Sequence, residues 1–163
     1  MVRREIPTLG FEDLAVDDEW ESPGRTVTEA DVVAYAGVSG DFNPIHLDHE
    51  SSRLGAFGAP VAHGLLGLAI ASGLASGAPR VDTIALLAVE EWSFLRPIRF
   101  GDTVRLISRV AALKPQSRGR RAAVTWHRQL VDQGGRVLQE GQIRTLVRSR
   151  SRDDDDSPPV PDA

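Results

Sequence analysis

The chain has 163 residues, 41% of them apolar, which suits one domain with a substantial core. A formal net charge of −4 gives it no overall attraction for nucleic acid or for an anionic membrane. The absence of cysteine excludes a disulfide framework and a thiolate metal site, and it fits a reducing, cytoplasmic compartment.

At the N-terminus Arg3 and Arg4 precede Glu5 and no apolar run follows, which is not the pattern of a secretory signal. Residues 1–25 are polar and mixed, with one short strand expected near Glu19–Glu21. Thr28 reads as a helix N-cap, since Glu29 and Asp31 then bring negative charge to the first turn. Val32, Val33, Tyr35 and Ala36 supply apolar surface, and Gly37 or Gly40 ends this helix. In the loop from Ser39 to His49, Pro44 holds Asn43 extended. A short helical segment is expected over Ser51–Leu54.

No Lys, Arg, Asp or Glu occurs between Arg53 and Arg80. Pro60, His63, Pro79 and several glycines interrupt this stretch, so it is not the run of about 20 apolar residues that a bilayer span requires. His63 to Gly77 is apolar or small on every face, the mark of a helix buried all round. Gly67 and Gly73 each cost about 0.5–1 kcal/mol relative to alanine inside a helix, so something must pack close to the backbone there.

From residue 81 the pattern becomes that of strands. Runs are expected over Ile84–Leu95, Thr103–Leu113, Ala122–Val131 and Val137–Val147. Lys114–Arg120 reads as a turn and Asp132–Gly135 as a hairpin. In the last run Val137, Gln139, Gly141, Ile143, Thr145 and Val147 share one face, a period of about two. Ser149–Ala163 is acidic and proline-rich and reads as a disordered tail. A sheet with one apolar face must cover it. Wrapping it around the all-apolar helix gives an α+β hot-dog fold, expected as one domain over residues 1–148.

The segment Tyr35-Ala-Gly-Val-Ser-Gly-Asp-Phe-Asn-Pro-Ile-His-Leu-Asp48, with Phe57-Gly-Ala-Pro-Val-Ala-His-Gly64 and Ser72, resembles the MaoC-like (R)-specific enoyl-CoA hydratase family. The resemblance implies a hot-dog fold, usually dimeric, with Asp41 and His46 catalytic. It implies that the Gly64 backbone N–H holds the thioester oxygen and that Ser72 supports the site, with Asn43 among the substrate-binding residues. It implies no cofactor, coenzyme A or acyl carrier protein entering as part of the substrate. The expected partners are the thioester and a second copy of the chain.

The residue types suit that chemistry. Hydrating an α,β-unsaturated thioester takes a proton from water attacking C3, delivers one to C2, and holds the charge on the thioester oxygen. A carboxylate and an imidazole gripping one water cover the proton transfers, typically for about 10²–10⁴-fold each. A helix-opening amide suits the oxyanion.

Other readings compete. Asp41 also suits a turn cap. His46, Asp48 and His49 have metal-like spacing, with His63 and His127 as the remaining histidines, but no metal is expected, because three or four ligands must converge. His63 reads as structural, and Ser72 also suits a bond back to its own helix. Arg96, Lys114, Arg118, Arg120 and Arg121 are either solvated or partners for coenzyme A phosphates. Trp92, Phe94 and Trp126 read as core or dimer-interface residues. A hot-dog thioesterase is the alternative activity, disfavoured because no Asp or Glu lies between Glu50 and Asp82. A third possibility is a non-catalytic partner, either a pseudo-enzyme subunit or an acyl-binding module, disfavoured because Asp41 and His46 are both present; in a heterodimeric dehydratase this chain would be the acyl-binding, catalytic half.

Overall fold

The computed structural model describes residues 7–150. The elements are β1 (Glu19–Glu21), β2 (Arg25–Thr26), α1 (Glu29–Ser39), α2 (Pro44–Leu47), α3 (His49–Arg53), α4 (Gly64–Ala75), β3 (Thr83–Phe94), β4 (Thr103–Gln116), β5 (Arg121–Val131) and β6 (Val137–Arg148). The six strands form one antiparallel sheet in the order β1-β4-β5-β6-β3, with β2 also pairing with β4. This is the expected α+β arrangement.

The short-range signals operate as anticipated. The Thr28 hydroxyl accepts from the Asp31 N–H at 3.3 Å, and the Asp31 carboxylate accepts from the Thr28 N–H at 2.9 Å, closing a capping box. Gly40 ends α1 at φ 75°, donating its N–H to Ala36 at 2.8 Å. The face of β6 that runs from Gln139 to Val147 is buried, although Leu138 on the other face is buried too.

Leu138, with alternate residues of β4 and β5, packs against α4, and of the buried face Gln139 reaches the helix at Gly67. Leu66, Ile70 and Ala71 of the helix meet Val104, Leu106, Leu130 and Leu138 of the sheet, with Val27, Val32 and Ile98 closing the sides. Fully burying each Val, Leu or Ile contributes about 1.5–3 kcal/mol. A second cluster at the other end contains Leu14, Val110, Val124, Trp126 and Val147. There the Trp126 indole donates to the Thr145 hydroxyl at 2.9 Å. Arg128 lies over the Trp126 ring, and burial pushes its guanidinium down to about 10.

Several expectations need correction. Helix α4 is not buried all round: Leu65, Ala69, Ser72, Gly73 and Ser76 form an exposed stripe, with Leu65 at 58%. Gly67 is the close approach foreseen, since a Cβ there would stand 2.2 Å from the Gln139 amide nitrogen and 2.6 Å from Ile98. Gly73 has no described residue within 4 Å of its notional Cβ. Strand β4 continues through Pro115 to Gln116 rather than turning at Lys114. Among the described residues this extension pairs only with β5, so the missing proline N–H deprives none of them of a partner.

Ser149 and Arg150 also differ from the expected tail. The Ser149 hydroxyl bonds Glu12, its N–H donates to Arg120 at 2.9 Å, and Arg150 meets Asp13 at 2.9 Å. The rest of the expected tail lies outside the described residues. Among the described residues no helix is long and apolar enough to cross a membrane.

Candidate active site

The loop after α1 is shaped by its own side chains. Asp41 donates its N–H to the Ser39 hydroxyl at 3.2 Å, and its carboxylate accepts the Asn43 N–H at 3.2 Å. Asn43 in turn accepts the Ile45 N–H at 3.1 Å, and Pro44 takes the first position of α2, where no N–H is needed. These turns deliver His46 one helical step later, facing back towards Asp41.

Residues 61–62 tie that loop to the sheet. Val61 donates to Ile45 at 3.2 Å, and Ala62 donates to Ile98 at 2.9 Å. The Val61 carbonyl accepts from His46 Nδ1 at 2.7 Å. A carbonyl only accepts, so Nδ1 carries the proton and the Nε2 lone pair is left facing Asp41. His46 Nε2 and Asp41 Oδ2 are 3.9 Å apart, with the imidazole largely buried and the carboxylate half-exposed. Gly64 opens α4 just beyond, its amide among those with no intrahelical acceptor.

His63, buried and capping α4, completes the cluster. Its Nε2–H donates to the Asp41 backbone carbonyl at 2.9 Å, and its ring stacks on His46 with centroids 3.8 Å apart. Tyr35 packs against its other side at 5.1 Å. The spacing of the motif did not reveal this residue's contacts with both Asp41 and His46; its place beside Gly64 was the available signal. Side-chain atoms of Asp41, His46 and His63 lie within 4.8 Å of one another, a metal-like grouping. A ligating imidazole normally donates its second N–H. In His46 that second N–H goes to the Val61 carbonyl; in His63 the Asp41 carbonyl takes Nε2–H, and Nδ1 is buried with no partner among the described residues.

A cavity of about 300 Å³ adjoins this cluster, lined by His46 and Gly64 together with Phe57, Phe94, Leu95 and Arg96 among others. Phe94 lies directly on Gly64, 3.0 Å from a notional Cβ. Behind it, the Trp92 indole donates to Gln139, whose amide donates to the Gly64 carbonyl at 2.9 Å. The structure thus brings Asp41, His46 and Gly64 together. Asn43 is instead an exposed helix cap, and Ser72 sits two turns along α4 on the exposed stripe; neither lines the cavity.

The model of the MaoC-like domain matches residues 13–130. The chain belongs to the MaoC-like family. Among its MaoC-like relatives is the 3-hydroxybutyryl-CoA dehydratase of Methylorubrum extorquens, 32% identical over 92% of this chain and 91% of that protein. Protein MaoC of Klebsiella aerogenes is 35% identical over 71% of this chain, which spans only 35% of its length. The crystal structure of the MaoC-like dehydratase from Rhodospirillum rubrum aligns with TM-score 0.77 and 32% identity, covering 88% of this chain and 99% of that one. A Mycobacterium tuberculosis protein described as a double hot-dog fold aligns with TM-score 0.78 at 20% identity, over 96% of this chain and 47% of that one. The fold here is therefore a hot-dog fold.

Proposed function

We propose that this chain is a carbon–oxygen lyase that reversibly hydrates a trans-2-enoyl thioester to the (R)-3-hydroxyacyl thioester. The observation that carries this reading is the gap between His46 Nε2 and Asp41 Oδ2. At 3.9 Å it is too long for a direct hydrogen bond and suits one water held by both, each leg about 2.8 Å. That water attacks C3 and gives up its proton to the pair, and the pair returns a proton to C2. The Gly64 N–H, at the positive end of α4, takes the charge growing on the thioester oxygen. Atoms balance without an oxidant, reductant or metal, so the enzyme works without a cofactor, the carrier being part of the substrate. Asn43 serves by shaping the loop.

The relatives named above as a hydroxybutyryl-CoA dehydratase and a MaoC-like dehydratase support this reaction class. The double hot-dog relative supports a homodimer, the second unit here coming from a second copy. That copy would cover the open edge of β3, where Ile84, Leu86, Leu87 and Val89 are exposed, together with the exposed stripe of α4. A cytoplasmic setting fits a cysteine-free chain.

The test is an assay of enoyl thioester hydration across a series of chain lengths on coenzyme A and on acyl carrier protein, with chiral analysis of the product. Turnover to the (R)-alcohol is expected. A silent enzyme on both carriers at every chain length, or an (S)-product, would overturn the reading. Light scattering should give twice the chain mass; a monomer would remove the second copy.

A further inference from the structure

Eight arginines among the described residues stand within 4.0 Å of a carboxylate. The four exposed cations around the β4–β5 turn, Lys114, Arg118, Arg120 and Arg121, have no such partner among the described residues. In a chain of net charge −4 this concentration is not a by-product of general basicity.

The turn is also held in shape. Ser117, Arg118 and Gly119 run consecutively at φ 49°, 57° and 85°. The Ser117 carbonyl accepts from Arg120 Nε at 3.4 Å, and its hydroxyl accepts from Arg121 Nε at 3.0 Å. Each guanidinium is thereby clasped by one nitrogen and keeps its fork of terminal N–H donors, the geometry that suits phosphate. Ser117, Arg120 and Arg121 line a cavity of about 90 Å³ together with Ile84.

Ile84 is at the start of β3, and Phe94, which walls the active-site cavity, is at its end. Ten residues of strand separate them, about 33 Å at the usual rise. That is too far for a substrate in the same chain to reach with its carrier. A second copy pairing antiparallel along β3 exchanges the two ends. The Ile84 end of one protomer then lies beside the Phe94 end of the other.

We propose that Ser117, Arg120 and Arg121 of one protomer form the coenzyme A phosphate site serving the active-site cavity of its partner. This rests on the hydratase and homodimer readings above and adds the source of carrier recognition. The neighbouring Lys114 and Arg118 strengthen the local positive field.

Calorimetry with coenzyme A, dephospho-coenzyme A and pantetheine tests binding without turnover. Wild type should bind coenzyme A at least tenfold more tightly than pantetheine, and Arg120→Ala/Arg121→Ala should abolish that ratio; an unaltered ratio overturns the site. The double variant should raise KM for the coenzyme A thioester about tenfold or more. Mixed dimers of the double variant with Asp41→Asn carry one site with both Asp41 and the partner's arginines. They should regain the wild-type KM; a KM that stays high places the arginines in the wrong protomer and overturns the proposal. A loss confined to the acyl-carrier-protein ester overturns it as well. Failure of wild-type turnover with the calorimetric ratio intact would remove the hydratase reading alone.

Discussion

His63 donates its Nε2–H to the backbone carbonyl of Asp41 at 2.9 Å while its ring lies stacked on His46. One buried imidazole thus fixes the position of both Asp41 and His46. His63→Leu keeps bulk but loses the donor and the stacking face, so kcat should fall roughly 10–100-fold with KM little altered, as misplacement of reacting groups costs. His63→Asn retains a donor and should recover part of the loss. Equal, wild-type kcat in both variants would reduce His63 to a core residue.

Asp41→Asn and His46→Ala should each lower kcat about 10²–10⁴-fold while leaving circular dichroism and Tm close to wild type. Asp41 is half-exposed and His46 sits at the cavity wall, so neither carries much of the core. Steady-state rates of the purified variants decide this.

Gly67→Ala should destabilise the fold by about 1–3 kcal/mol, lowering Tm by roughly 2–12 °C. The new methyl meets Gln139, which cannot move aside without releasing Trp92 and the Gly64 carbonyl. Gly73→Ala meets nothing among the described residues. It should raise intrinsic helix stability and, if the second copy covers that stripe, weaken the dimer on dilution. Calorimetric scans and light scattering separate the two effects.

Asp132 should make stability fall in acid. Burial by itself pushes its carboxyl up, but N–H groups of Arg136 and Gly134 and the Arg136 guanidinium together hold it below the usual range. A carboxyl lowered by folding stabilises above its unfolded value, near 3.9, and that contribution is lost as pH falls through the folded value. Asp132→Asn should therefore lower Tm at neutral pH, and the gap to wild type should close as pH drops below about 4. A gap that stays constant with pH would assign the role to shape rather than charge.

Features decided by near neighbours were legible in the sequence. Thr28 and Asp31 make a cap wherever a helix starts, Gly40 can turn left-handed, and alternation along β6 marks the face that must leave water. The turns built by Asp41, Asn43, Pro44 and His46 are likewise local, so the shape of this loop is legible in the sequence. Distant contacts were not legible. Only the folded chain brings Val61 to His46, His63 to Asp41, and Gln139 to Gly67. The same folding places Ser72 on the exposed side of α4 and anchors Ser149 against Glu12. A composition pattern states which residues avoid water, but which neighbour excludes it depends on contacts across fifteen to over a hundred positions, and those are set by how the sheet closes on the helix.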